Sequence, residues 1–266
     1  MISGRATHQG LQSAALESLR PLVAFAGARA LYLGPALNLR PHRNAAITVA
    51  IGLDAPMALR LGDGRGGWEP TREGRLLTIP AGRLHHLVAQ GRMAFLYLDR
   101  LGDDVGALEG ADPDALHRRI AQQDPAALRR WSLDQWRAKL GLADAAPADP
   151  RAAEVAARLF ADPCALPSLA EAARLARLSP SRFHALFRTQ AGVPFRRYRL
   201  WRRMGHVMAS LASGANLTVA AHEAGFASSA HFSDQFRRLF GLKPSALVAL
   251  GPEIRWEAAS TASSRL

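Results

Sequence analysis

The spacing of apolar residues changes twice along this chain, and each change marks a different kind of structure. From Leu31 to Leu98 they fall in short runs (Ala46 to Ile51, Met57 to Leu61, Leu76 to Ile79, Phe95 to Leu98) rich in Val, Ile and Leu and separated by Gly, Pro and Asp. The stretch LGDGRGG, Leu61 to Gly67, is a turn cluster. Runs of this length and spacing predict an antiparallel sandwich or barrel over about 31–100. From Asp112 to Gly141 the period becomes helical, with Ala115, Ile120, Leu128, Trp131, Leu133, Trp136 and Leu140 supplying apolar faces. Asp124-Pro125 divides that stretch into two helices, because the residue before a proline avoids the helical region. Before Leu31 the pattern suggests a helix over Leu11 to Leu19 and little else. Ala145 to Pro150, AAPADP, reads as a linker, and a domain boundary is placed there.

Beyond the linker the period is helical throughout, and seven helices are expected. Val155 and Leu159 lie one turn apart in the first. Ser168 with Glu171 three residues on is a capping box for the second, and Ser179-Pro180 starts the third. A long helix follows Pro194, with Phe195, Tyr198, Trp201 and Met208 recurring at three to seven residues, and ends at Ser213-Gly214. Thr218 to Phe240 holds two more, and the last begins near Pro244. No pattern is visible after Glu253, so 253–266 is read as a tail.

Within this helical half the sequence repeats. At an offset of 49 residues, Ala172, Ser179, Phe183, Phe187, Arg188 and Gly192 fall on Ala221, Ser228, Phe232, Phe236, Arg237 and Gly241. Each copy, 168–190 and 218–240, reads as a short Ala-rich helix, a tight turn and a helix with aromatics at i and i+4. That is a helix-turn-helix, the usual way to place a helix in a DNA groove. The second copy carries Ala221-x-x-Ala224-Gly225-Phe226, then Phe232-x-x-x-Phe236-Arg237-x-x-Phe240-Gly241-x-x-Pro244. With so many residue types at fixed spacings, these roughly 80 residues resemble the DNA-binding domain of the AraC/XylS family of bacterial transcription regulators. The resemblance implies an α+β chain of two domains. An N-terminal cupin-like β-barrel with a helical hairpin would occupy 1–145, and an all-α domain of two helix-turn-helix motifs 146–252.

Charge supports a polyanion partner. All but Lys139 and Lys243 of the 34 basic residues are arginine, and of the net +12 the segment 151–250 carries +9, from 14 basic and five acidic side chains. Cys164 is the sole cysteine, so no disulfide or Cys-based zinc site can form within the chain; it reads as an inert packed thiol, with redox sensing the alternative. No run of 18 apolar residues occurs, Arg29 interrupts the apolar stretch Val23 to Leu33, and there is no signal-peptide cleavage pattern. A cytoplasmic protein without membrane association is expected.

Two sets of candidate site residues follow. In the strand-rich half, Gly74-x5-Pro80-x-Gly82-x2-His85 matches the second motif of the cupin barrel, whereas the first motif is reduced to His42-Arg43-Asn44 with no carboxylate at the usual distance. A tightly held metal wants three or four ligands at fixed geometry, so no metal and no cofactor are expected. The resemblance is to metal-free sensor barrels, which makes His42, Asn44, His85 and His86 candidate contacts for a small-molecule effector. The plainer reading of His85 and His86 is a strand-end pair with one inward side chain. In the helical half, Phe183, Leu186, Phe187 and Gln190 share one face of the first recognition helix and Phe232, Phe236 and Leu239 one face of the second; these are core. The opposite faces carry Ser181, Arg182, His184, Ala185 and Arg188, and Ser229, Ala230, Ser233, Asp234 and Arg237, the candidate DNA contacts. Arginine can grip the O6 and N7 edge of guanine with two bonds. The resemblance carries base contacts to Ser181, His184 and Ala185 and to Ser229, Ala230 and Asp234. Asp234 stands where many relatives have arginine: it either accepts from cytosine or pairs with Arg237 or Arg238 one turn on. The first copy is therefore expected to supply most of the sequence discrimination. Arg196, Arg197, Arg199, Arg202 and Arg203 crowd the connecting helix; one or two are expected on phosphate. Arg203, at the family's recurrent arginine, is expected there or buried against a carboxylate.

The reading is thus of a non-enzymatic, sequence-specific regulator that inserts into the major groove of double-stranded DNA under the control of an unidentified small effector. It would act as a homodimer, and with RNA polymerase if an activator. The helices over 112–141 resemble the family's dimerisation element, although Trp131 and Trp136 equally suit packing on their own barrel. The rivals are a metal cupin enzyme using His42 and His85, and a barrel that serves only as a scaffold.

Overall fold

The computed structural model of the protein describes residues 20–257 apart from 104, 109 and 145–147. The helix expected over Leu11 to Leu19, the first half of the linker and the end of the tail lie outside the described residues. Nine strands lead: β1 (Leu22–Ala26), β2 (Arg29–Pro35), β3 (His42–Arg43), β4 (Ile47–Gly52), β5 (Met57–Leu61), β6 (Arg72–Gly74), β7 (Leu76–Ile79), β8 (Leu84–Val88) and β9 (Arg92–Leu98). A larger sheet runs β1-β2-β9-β4-β7 and a smaller one β3-β8-β5-β6. Ten helices follow: α1 (Pro113–Ala121), α2 (Pro125–Arg130), α3 (Leu133–Lys139), α4 (Pro150–Ala161), α5 (Leu169–Leu175), α6 (Pro180–Ala191), α7 (Phe195–Ala212), α8 (Leu217–Glu223), α9 (Ser229–Phe240) and α10 (Pro244–Val248). The last element among the described residues is a strand, β10 (Glu253–Trp256). The chain is therefore α+β, strand-rich first and helical second.

Three features depart from the sequence reading. The strands β1 and β2 form a hairpin; β1 lies wholly before the expected start of the strand-rich region at about residue 31, and β2 straddles it. Every residue of β1 is buried, because both faces of the larger sheet are covered, and a strand covered on both faces loses the alternation that would announce it. The segment 112–141 holds three helices rather than two: Ser132 and Gln135 form a capping box that starts α3. The described part of the tail, to Glu257, holds a strand. Its β10 lies parallel to β1, Leu22 opposite Glu253 through Phe25 opposite Trp256, and the Phe25 and Trp256 rings stack at 6.4 Å. Arg129 Nη2 pairs with Glu253 Oε2 at 2.8 Å, and the Leu133 amide donates to Glu257 Oε2 at 2.8 Å. The C-terminus of the helical half is thereby fastened to the first strand of the other half.

Burial divides the chain into three cores. One face of the larger sheet packs on α1 to α3 through Leu22, Leu31, Leu96, Ile120, Leu133 and Trp136. Trp136 is fully buried there, its indole 5.3 Å from that of Trp131. The other face, with Phe25, Tyr32, Phe95 and Tyr97, continues through the smaller sheet and into Trp201, Met204, Phe232 and Phe236 of the helical half. The first helix-turn-helix has its own core of Val155, Leu159, Phe183, Phe187 and Phe195.

Candidate nucleic-acid interface

The first unit is α5, a turn and α6; the second is α8, a turn and α9. Each recognition helix is set by its ends. Ser179 Oγ accepts from the Arg182 amide and Pro180 takes the first helical position, while Ser228 Oγ accepts from the His231 amide at 3.1 Å. Gly192 and Gly241 close the helices in the left-handed region, at φ 74° and 77°. The buried stripe is Phe183, Phe187 and Ala191 in one copy, and Phe232, Phe236 and Leu239 in the other.

The structure refines the repeat. Leu178 donates to Ala173 O as Phe226 donates to Ala221 O, so the helices before the turn correspond at an offset of 48. The recognition helices correspond at 49, and Ala227 is the extra residue that separates the two registers. In the turn itself Gly225 lies at φ 76°, and its counterpart at offset 48 is Arg177, at φ 53° the one non-glycine with positive φ among the described residues.

Both recognition helices point their C-terminal ends into the strand-rich half. The Arg40 amide donates to Gly241 O at 2.9 Å, and a methyl group on Gly241 would lie 2.5 Å from Arg40 O. Gly192 approaches Arg100, and Val193 approaches Gly82. The N-terminal halves are left free. Ser181, Arg182, His184, Ala185 and Arg188 are all exposed on one face of α6, and on α9 Ala230 and Arg237 are exposed with Ser229, Ser233 and Asp234 half-buried. The faces differ in charge. Asp234 pairs with both Arg237 Nη2 at 3.1 Å and Arg238 Nε at 2.9 Å, so one of the two positive charges there is offset from within, whereas α6 keeps both Arg182 and Arg188.

On the connecting helix α7 the buried arginine is Arg202 rather than Arg203. Arg202 is 7% exposed, stacks over Phe160, and is among the charges that counter the burial of Asp99. Burial pushes the Asp99 carboxyl above the usual range, and Tyr198 donates to it at 3.2 Å, so this cluster ties the connecting helix to the end of β9. Arg203 meets no carboxylate among the described residues: it lies 4.0 Å over the Phe226 ring and donates to Ala224 O at 2.6 Å, bracing the second turn.

A family model described as a helix-turn-helix domain matches residues 172–249. Over 79 residues the chain is 37% identical to the probable transcriptional regulator LumQ of Photobacterium leiognathi. The C-terminal domain is an AraC-type helix-turn-helix domain. The match covers 29% of this chain and about a third, 32%, of the length of LumQ. The fold as a whole is similar to ToxT of Vibrio cholerae: at 12% identity, apo ToxT gives a TM-score of 0.52 over 84% of this chain and 97% of that one. Unsaturated fatty acid bound wild-type ToxT gives 0.50, over 84% and 94%. So remote a likeness speaks for the fold alone, and it extends beyond the AraC-type domain into the strand-rich half.

In that half, the motif histidine His85 lies on β8 opposite His42 on β3, with the rings 4.1 Å apart and both side chains buried. His42 Nδ1 is 2.8 Å from Arg40 O and His85 Nδ1 3.0 Å from Arg83 O. Burial drives both below the ordinary histidine range, His85 to about 3, so the pair is neutral near pH 7. Asn44 donates to Thr48 Oγ1 at 2.9 Å, and His86 is half-buried. The structure thus brings His42 and His85 together against the end of α9. A separate apolar cavity of about 60 Å³ lies between the larger sheet and the AraC-type domain, lined by Phe25, Tyr32, Tyr97, Trp201, Met204 and Phe240 among others. None of the four sequence-nominated residues touches it. Trp201 and Met204 lie three residues apart on α7, a spacing that in sequence looked only like helix core.

Proposed function

We propose that this chain is a sequence-specific DNA-binding transcription regulator whose strand-rich half senses a small apolar effector. The observation that carries the reading is the duplicated helix-turn-helix with both recognition helices docked at their C-terminal ends and open at their N-terminal halves. Such a pair enters successive major grooves about 34 Å apart. Arg182, His184, Ser181, Ala185 and Arg188 of the first copy supply most base discrimination. Ser229, Ala230, Ser233, Asp234 and Arg237 of the second act more through the phosphates. The protein works without catalysis or cofactor, in the cytoplasm, as a homodimer, and through RNA polymerase where it activates.

The effector reading rests on the cavity at the seam, which at about 60 Å³ must widen to hold a ligand. An apolar ligand there would touch β1, β2 and β9 on one side and α7 and α9 on the other, so its affinity would depend on how the two halves are arranged. A ligand shifts an equilibrium only by such a difference in affinity. ToxT, of similar fold, is known with an unsaturated fatty acid bound. Arg29 and Arg202 are the charged residues in the wall, and the carboxylates of Asp103 and Asp99 already counter them. Off this cavity, His42, packed on His85, serves the contact between the halves at Gly241.

The test is selection of duplexes from a random pool by the full chain, followed by binding isotherms. Arg182→Ala and His184→Ala should flatten the selected sequence preference, with losses of about 1–3 kcal/mol at the affected positions. Asp234→Asn should free Arg237 and Arg238, raise affinity for any duplex, and steepen the salt dependence toward about 0.9 powers per added phosphate contact. No enrichment over bulk competitor at moderate ionic strength would refute the proposal. If Asp234→Asn changed the preference and the first-copy variants did not, the two copies would exchange roles.

A further inference from the structure

Where β3 meets the start of α7 and the side of α9 lies an open cleft of about 530 Å³, a size at which small ligands are held. Six arginines line it: Arg43 from β3, Arg196, Arg197, Arg199 and Arg203 from α7, and Arg238 from α9. No aspartate or glutamate is among the lining residues. Arg238 has Asp234; the other five have no ion-pair partner among the described residues. Four are held instead by carbonyl oxygens: Arg43 Nη1 reaches Gly82 O at 3.2 Å, Arg197 Nη1 Arg43 O at 3.5 Å, Arg199 Nη1 Leu166 O at 3.0 Å, and Arg203 Nε Ala224 O at 2.6 Å.

This arrangement of charge is costly. Guanidinium groups stay charged, and charges withdrawn from water without counter-charges cost free energy. Burial and neighbouring arginines together pull Arg197, Arg199 and Arg203 below their ordinary range, Arg43 acting on Arg197, Arg196 on Arg199 and Arg199 on Arg203. Carbonyl contacts fix the side chains in place, yet each leaves further N–H donors of the planar fork unused. Pre-positioned forks of this kind suit an oxyanion with several oxygens, which accepts paired, charge-assisted bonds.

We infer that the cleft is a binding site for a multivalent oxyanion, a small molecule bearing phosphate groups. Such a ligand would bridge Arg43 of the strand-rich half to α7 and α9 of the AraC-type domain, and so would clamp the two halves together. The site stands apart from the apolar cavity, and it does not require the DNA-binding reading, since it is measured without DNA.

The experiment is calorimetric titration and thermal shift of the full chain with inorganic pyrophosphate, against sodium chloride at matched ionic strength. Saturable binding is expected, weakened at least tenfold by Arg43→Gln and by Arg196→Gln, which alter two exposed side chains on separate elements, so that either reads the site if the other fails to fold. Arg182→Gln makes the same change of net charge on α6 and should leave pyrophosphate affinity within twofold. A response equal to that of sodium chloride, or equal loss in Arg182→Gln, would overturn the inference in favour of diffuse charge. So would variants at Arg43 and Arg196 that weaken only duplex binding, since the arginines would then serve the DNA backbone.

Discussion

Replacing Gly241 by alanine tests the docking of the second recognition helix on the strand-rich half, because the repeat supplies its own control. Gly192 and Gly241 are equivalent C-terminal caps, at φ 74° and 77°. Alanine in the left-handed region costs roughly 1–2 kcal/mol, offset in part by about 0.4–1 kcal/mol from the stiffer unfolded chain. That net term is common to both sites. At Gly192 the new methyl group would meet only Arg100 Cδ at 3.3 Å, on a side chain that can swing aside. At Gly241 it would lie 2.5 Å from Arg40 O and 2.6 Å from His42 Nδ1, a backbone atom and a buried ring. Relief requires β3 to lift from α9 and the bond from the Arg40 amide to Gly241 O to open. Overpacking of a filled contact costs about 1–3 kcal/mol and the lost bond about 1 kcal/mol. Gly241→Ala should therefore cost about 2–4 kcal/mol more than Gly192→Ala. At roughly 2–4 °C per kcal/mol, the midpoint would fall by at least about 4 °C more. Urea unfolding of both variants gives the difference, and amide exchange at Arg40 should accelerate in Gly241→Ala alone. Equal costs within about 0.5 kcal/mol would mean that the contact does not form in solution.

Three further outcomes follow from the fold. Ending the chain after Gly251 removes β10, the Phe25–Trp256 stack and the Arg129–Glu253 pair; the melting midpoint should drop and β1 amides lose protection, whereas unchanged exchange along β1 would show the strand to be idle. The histidine pair sets a pH dependence. Both are neutral when folded but titrate near 6.5 when unfolded, so stability present above pH 6.5 is lost as pH falls toward about 3, where His85 protonates in the fold. For His85 the loss approaches about 1.36 kcal/mol per pH unit, and His85→Gln should shallow the decline between pH 6.5 and 5 relative to the parent; parallel curves would refute it. Arg177→Gly should stabilise by roughly 0.5–1 kcal/mol, because it relieves the strain of a left-handed arginine where the second copy already has Gly225. A destabilised variant would mean the arginine side chain contributes more than its backbone costs.

The helical half was nearly all legible in the sequence, because its signals are local. Capping residues such as Ser168, Ser179 and Ser228, a period of three to four, and paired aromatics each act within a turn or two of themselves. One misreading there, a uniform offset of 49, arose because Ala172 and Ala221 match by residue type while their positions in the fold differ by one, a shift only the turn geometry reveals; another was Cys164, read as packed and exposed in the structure. The strand-rich half was harder. Its middle strands declared themselves between glycines and prolines, but β1, buried on both faces, has no alternation to show, and β10 is four residues whose partner lies some 230 positions away. Of the candidate site, both recognition faces emerged from helical phase. The apolar cavity and the arginine cleft did not, since each is assembled from both halves and no single segment bears its signature. His42 and His85 were nominated by a motif, and the structure pairs them across β3 and β8.

The seam between the halves bears on how such chains can be recombined. The first helix-turn-helix has a hydrophobic interior of its own, while that of the second is contiguous with the interior of the strand-rich half. A chimera cut near residue 148 would pass through a covalent joint but leave a mismatched interior behind it, with Tyr97 on one parent's side and Trp201 and Phe240 on the other's. Exchanging α5 and α6 alone alters one reading head and leaves that interior whole. Transplanting the other head means carrying its side of the strand-rich half with it.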